Sequence, residues 1–116
     1  MSRRRVVLGA SGEELVASWY EARGYQVVDR NWRCRDGEID LIVRAGSDLA
    51  FCEVKTRTSL AFGHPAEAVT VAKQRRLRLL ASRWLAEGHS PVRPSEIRFD
   101  VAAVIGREVD VIEAAF

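Results

Sequence analysis

Two kinds of apolar spacing divide the chain. Over residues 11–23, Val16, Ala17 and Tyr20 recur at helical spacing, with Glu14, Ser18 and Glu21 on the opposite side. Ser11-Gly12-Glu13-Glu14 fits a capping box with Ser11 as N-cap and Glu14 at N3, and Gly24 stands where a helix would end. Residues 25–32 read as a strand. Residues 38–44 and 49–57 alternate more strictly and are joined by the turn-like Ala45-Gly46-Ser47-Asp48. Residues 58–65 read as a loop. Residues 66–87 predict a long helix with the buried stripe Val69, Leu77, Leu80, Ala81, Trp84 and Leu85, closed by Gly88. After a loop containing Pro91 and Pro94, residues 97–105 and 109–114 predict two more strands. The order αβββαββ implies an α/β fold with a mixed sheet flanked by helices. Residues 1–10 read as a flexible basic tail and 11–116 as a single domain.

The register of the two central strands places the chemistry. Whether the turn is closed as a two-residue or a four-residue loop, Ala45 faces Asp48 and Arg44 faces Leu49, so Asp40 falls opposite Glu53. Side chains alternate faces, so Glu38, Asp40, Glu53 and Lys55 share one face with Ile42, Leu49 and Phe51. Ile39, Leu41, Val43, Ala50, Cys52 and Val54 point the other way. Directly opposed carboxylates repel, and something must offset that. A divalent cation would, because hard cations prefer oxygen ligands, and the Lys55 ammonium would add charge beside it. The plainer alternative is a surface sheet face with a Glu38–Lys55 ion pair. Glu13 lies on the apolar stripe of the first helix. It is either a glutamate reaching solvent at the stripe's end or an acid directed into a cleft.

Composition narrows the class. The chain has 116 residues, 47% hydrophobic and 29% charged, which suits one packed core and argues against disorder. No apolar run is long enough for a bilayer, and the stretch after Arg3-Arg4-Arg5 is too short for a signal peptide. Two cysteines, Cys34 and Cys52, make no disulfide framework and have no zinc-site spacing. A cytoplasmic protein with no membrane partner is expected. Net charge is only +2, but of 18 Lys and Arg residues lysine occurs only at Lys55 and Lys73. The two lysines mark places where a compact ammonium matters, although chance is adequate for Lys73 alone. Lys73, Arg75, Arg76, Arg78 and Arg83 make one helix basic, as a phosphate-tracking surface or a merely solvated face. Trp19, Trp32 and Trp84 read as core, Asp100 as a structural acceptor and His64 as an incidental loop residue.

Several ordered motifs resemble a known family. They are Gly12-Glu13 before the helix, Gly24-Tyr25, Arg30-Asn31-Trp32-Arg33, Gly37-Glu38-Ile39-Asp40-Leu41-Ile42, Phe51-Cys52-Glu53-Val54-Lys55-Thr56-Arg57, Phe62-Gly63-His64-Pro65 and Arg98-Phe99-Asp100-Val101. Asp40 followed by Glu53-Val54-Lys55 resembles the PD-(D/E)xK nuclease superfamily. The layout is similar to archaeal Holliday junction resolvases, and the whole set is most similar to the YraN family of small bacterial proteins. The resemblance implies a restriction-endonuclease-like αβββαβ core and metal-dependent hydrolysis of phosphodiester bonds in nucleic acid, with DNA expected. It implies Mg²⁺ or Mn²⁺ held by Asp40, Glu53 and the Val54 carbonyl, Lys55 as catalytic lysine, Glu13 as the helix acid and Gln74 near the site. Lys73, Arg75, Arg76 and Arg78 would contact nucleic acid, and a homodimer is a compatible partner state. The superfamily's proline is replaced by Ile39. A non-catalytic nucleic-acid-binding module or a protein-interaction domain on the same fold is the alternative.

Overall fold

A computed structural model describes residues 11–57 and 69–116. The basic tail, the loop with His64 and the expected helix start at 66–68 lie outside the described residues. The elements are α1 (Ser11–Glu21), β1 (Gln26–Cys34), β2 (Gly37–Ala45), β3 (Asp48–Arg57), α2 (Val71–Ala86), β4 (Glu96–Ile105) and β5 (Glu108–Ile112). The five strands form one sheet in the order β1-β2-β3-β4-β5. Tight turns make the β1–β2, β2–β3 and β4–β5 pairs antiparallel, whereas β3 and β4 are parallel. A parallel pair needs a crossover connection, and α2 lies within it.

The sheet is buried on both faces. Val16, Ala17 and Tyr20 of α1 pack on Leu41, Val43, Ala50, Cys52, Ala102 and Val104. On the other face Leu77, Leu80, Ala81 and Trp84 of α2 cover Ile42, Leu49, Phe51, Phe99 and Val101. Each large apolar side chain so buried contributes about 1.5–3 kcal/mol. Trp84 is fully buried, while Trp19 and Trp32 sit at the margins of the two clusters, Trp19 beneath the Arg23 guanidinium.

Three sequence expectations need correction. The second helix is expected over residues 66–87; of the described residues, Val69 and Thr70 are not helical and the helix runs Val71–Ala86. Thr70 is an extended N-cap whose hydroxyl accepts the Lys73 N–H at 3.2 Å, which frees Val69 to turn into the core. The last strand ends at Ile112 and not Ala114, because Ala114 takes a left-handed φ of 51° and its N–H turns in to Asp100. Ile39 packs on the α2 side, not with Leu41 and Val43. Asn31 has φ 49°, which breaks the alternation of β1 and turns Trp32 toward α2, and Ile39 is the residue paired with Trp32.

Asp100 is the structural acceptor its sequence context suggests. It is fully buried and receives the Tyr20 hydroxyl, both forks of Arg98 (2.8 and 3.0 Å) and the Ala114 N–H (3.0 Å). One carboxylate thereby ties α1, β4 and the segment after β5. Burial, with the charge of Asp100 nearby, pushes the Tyr20 hydroxyl up and holds it protonated as a donor. Cys52 is buried beside it, and burial likewise raises its thiol.

Candidate active site

The β2–β3 register is the one read from the turn: Ala45 pairs with Asp48, Arg44 with Leu49, and the pairing runs to Leu41 with Cys52. At the next step a side chain replaces the backbone ladder, as the Val54 N–H donates to Asp40 Oδ2 at 2.8 Å. The fork so formed carries the site. Gly37, Glu38, Asp40 and Glu53 meet Lys73, Arg76, Leu77 and Leu80 of α2 around a cavity of about 200 Å³. Lys73, Arg76, Leu77 and Leu80 follow helical i, i+3, i+4, i+7 spacing, which presents them on one face.

Two glycines permit the close approach of elements. A Cβ on Gly12 would lie 2.6 Å from Thr56 Oγ1, so α1 can start against β3, beside Lys55, only without a side chain there. Gly37, at φ 143°, lies under Leu80, where an added Cβ would come within 3.3 Å of Leu80 Cδ1.

Glu53 is buried, and one of its oxygens, Oε2, meets both lysines of the chain: Lys73 Nζ at 2.9 Å and Lys55 Nζ at 3.2 Å. Burial lowers the Lys55 ammonium, the neighbouring Lys73 adds to that shift, and the Glu53 carboxylate opposes it. The Lys55 nitrogen and the Glu53 carboxylate beside it raise Lys73. Burial pushes Asp40 up to about 7. The Val54 N–H opposes the rise, and the charges of Glu53, Glu13 and Glu38 add to it. Glu13 therefore acts on Asp40 electrostatically from the start of α1.

The raised Asp40 carboxyl gives a pH dependence. Below about 4 it is protonated folded and unfolded. Between there and about 7 the folded protein holds the proton more tightly, so stability falls as pH rises through this window and levels off above it. Asp40→Asn keeps an oxygen for the Val54 N–H and removes the charge. Its melting temperature should gain on the wild type from pH 4 to pH 7 and hold that lead above, in melts with EDTA. A variant equally or more destabilised across the range would show that Asp40 serves only as a structural acceptor.

The remaining candidates separate. The Gln74 amide donates to the Val69 carbonyl at 3.1 Å, closing the turn that precedes α2. Arg76 lines the cavity, Arg75 is exposed, and Arg78 lies over the Phe99 and Phe116 rings, 4.9 and 5.4 Å from their centroids. Arg83 pairs with Asp36 at 2.8 Å. The Glu38–Lys55 pair of the plainer alternative is not formed, since Glu38 takes Arg33 and Lys55 takes Glu53. Glu14 pairs with Arg30 of β1. A larger, more open cleft of about 570 Å³ at the β1 edge, bordered by Tyr25, Arg44, His89 and Pro91, gathers none of the candidate catalytic residues.

The donor set at the fork fits a hard cation. Asp40 and Glu53 supply oxygens, and their mutual charge raises the cost of leaving both ionised without one. Among the described residues no three His, Cys, Asp or Glu side chains form a ready-made ligand cluster. A cation here would thus be completed by a backbone oxygen such as that of Val54, and by water. The convergence of Lys73 on Glu53 was the feature that sequence reasoning missed. The scarcity of lysine was its signal, but an i, i+3 helix pattern does not name a partner on a strand twenty residues earlier.

Comparison with known proteins agrees with the motifs. The sequence model of the uncharacterised protein family UPF0102 matches residues 12–104. A UPF0102 protein of Beutenbergia cavernae is 57% identical over 103 residues, which cover 89% of this chain and 86% of the relative. One from Nocardia farcinica is 55% identical over 98 residues, 84% of this chain and 76% of the relative. One from Frankia alni is 53% identical over 102 residues, 88% and 83%. Among the described residues no helix is long and apolar enough to cross a membrane.

Proposed function

The chain belongs to the UPF0102 (YraN) family, and from the chemistry of its fork we propose that it hydrolyses phosphodiester bonds in nucleic acid, with DNA as substrate, using Mg²⁺ or Mn²⁺. The observation that carries this reading is the meeting of two acidic side chains, Asp40 and Glu53, with Lys73 and Arg76 around one cavity, and with Lys55 paired to Glu53 at its edge on the same strand. A surface that only bound a polyanion would gain nothing from a buried Glu53 and a half-buried Asp40 facing it.

Asp40, Glu53 and the Val54 carbonyl would hold the cation, which when bound polarises a phosphoryl oxygen and makes water a better nucleophile. The protein's own groups do the rest. Lys55, held by Glu53 and only 16% exposed, presents a fixed positive charge to the negative charge that grows on the phosphoryl oxygens. Glu13 keeps negative potential on the Asp40 side. Arg76 and Arg75 receive neighbouring phosphates.

The test is a cleavage screen of purified protein over single-stranded, duplex, flapped and branched DNA and the matching RNAs, with Mg²⁺, Mn²⁺ or EDTA. Metal-dependent cleavage of at least one substrate is expected, and it should disappear in Glu53→Ala. Salt-sensitive binding with no cleavage of any substrate would favour the second reading, a nucleic-acid-binding module. The pairing of Glu53 with two lysines supports that reading, since it offsets the Glu53 charge without a cation.

A further inference from the structure

We propose that Lys73 and the divalent cation compete for Glu53, so that a nucleic-acid phosphate, by drawing Lys73 away, raises the affinity of the site for the cation. This rests on the metal-dependent reading above and adds to it how the site is regulated.

The geometry separates the two lysines that share Glu53 Oε2. Lys55 stands two residues along the same strand, and its side chain is 16% exposed, so it stays with the carboxylate. Lys73 approaches from α2, and its side chain is 35% exposed against 9% for Glu53. Its ammonium is therefore at the mouth, where a phosphate arrives first. Its backbone is fixed, because its N–H is held by the Thr70 hydroxyl in the first turn of the helix. The four-carbon stem is free to swing from Glu53 to an incoming anion, while the backbone need not move. Arg76, one turn along the same helix face, lines the cavity and would hold the same strand.

Residue type supports an exchangeable contact. Every basic position except Lys55 and Lys73 is arginine. An arginine would grip Glu53 with a planar fork, whereas lysine offers a single point charge on a flexible stem. A cation taking the same oxygen must displace that charge, and coupling between the two ligands is then reciprocal. Metal favours release of Lys73 toward phosphate, and phosphate favours entry of metal. The fork would stay neutralised and weakly metal-binding until nucleic acid is in place.

Calorimetric titration with Mn²⁺ tests this, in the wild type, Lys73→Met and Lys73→Arg, each alone and with a short phosphorothioate duplex that resists cleavage. Alone, Lys73→Met should bind Mn²⁺ more tightly than wild type, by about tenfold, a typical coupling between sites. Lys73→Arg keeps the competing charge and should stay weak. The duplex should tighten Mn²⁺ binding to the wild type by clearly more than to Lys73→Met, where only the direct contact of phosphate with the cation is left; equal tightening in both would overturn the competition. Circular dichroism checks that both variants are folded, and Lys73→Arg is the control for a merely structural effect. Equal or weaker Mn²⁺ binding in Lys73→Met would overturn the competition while leaving the metal-dependent reading intact. Absence of Mn²⁺ binding in all three proteins would overturn that reading and this inference with it.

Discussion

Lys55→Met and Glu53→Gln should each lower phosphodiester cleavage by about 10²–10³-fold, the scale for loss of one preorganised charge at a reacting centre. The two should differ in everything else. Lys55→Met removes a positive group held at 3.2 Å from Glu53, so duplex binding should weaken only slightly while turnover collapses. Glu53→Gln removes the shared counter-ion of Lys55 and Lys73 and leaves two ammonium groups facing each other. Its binding to duplex should be unchanged or tighter, since a negative charge facing the phosphates is gone. Its metal-free melting temperature should fall, because the lysines then repel at short range. Filter binding, single-turnover cleavage and melts on the same preparations separate these effects. Undiminished cleavage in either variant would assign the activity to a different site or to a contaminant.

Asp100→Ala should be among the most destabilising single substitutions in the chain, by about 3–5 kcal/mol, as for removal of one partner of a buried ion pair. The carboxylate is fully buried and takes donors from Tyr20, Arg98 and Ala114. Its loss strands the Tyr20 hydroxyl under α1 and leaves Arg98, itself only a quarter exposed, without its bidentate acceptor. Urea denaturation should show a lower midpoint with an unchanged slope. Tyr20→Phe removes a single donor and leaves the Arg98 pair in place, so it should cost far less. Because Asp100 is not at the fork, Asp100→Asn, which retains acceptor oxygen, should preserve cleavage at temperatures where it stays folded. A variant as stable as wild type would mean that β4 and the segment after β5 are held without the carboxylate, by the Ala115 N–H on the Phe99 carbonyl (2.8 Å) and the stacked Phe99–Phe116 rings.

Local periodicity explains why so much of the architecture was legible. Helical spacing of Val16, Ala17 and Tyr20, and alternation over residues 38–44 and 49–57, are backbone-level signals, and the short Gly46-containing turn leaves one antiparallel register. That register alone put Asp40 and Glu53 at the same level of the sheet. The errors fall where a side chain overrides the backbone pattern. Thr70 caps α2 later than the apolar stripe implies, the left-handed Asn31 turns Trp32 to the α2 side, where its strand partner Ile39 also packs, and Asp100 draws the chain out of β5 at Ala114.

What sequence by itself determined is the order of elements, most of the two apolar faces and the placement of Asp40, Glu53 and Lys55 on neighbouring strands. These depend on the 3.6- and 2-residue periods and on turn length, all of which are local in the chain. What only the tertiary structure decided is which charges meet. The parallel β3–β4 pair requires a crossover, and α2 within it comes to lie against the fork, so Lys73 reaches an oxygen that Lys55 already holds. The fork itself, where Asp40 replaces a ladder bond to Val54, depends on burial and strand divergence, which have no period in sequence. Charge pairing across separate elements is a matter of three-dimensional distance and dielectric, and no spacing along the chain encodes either.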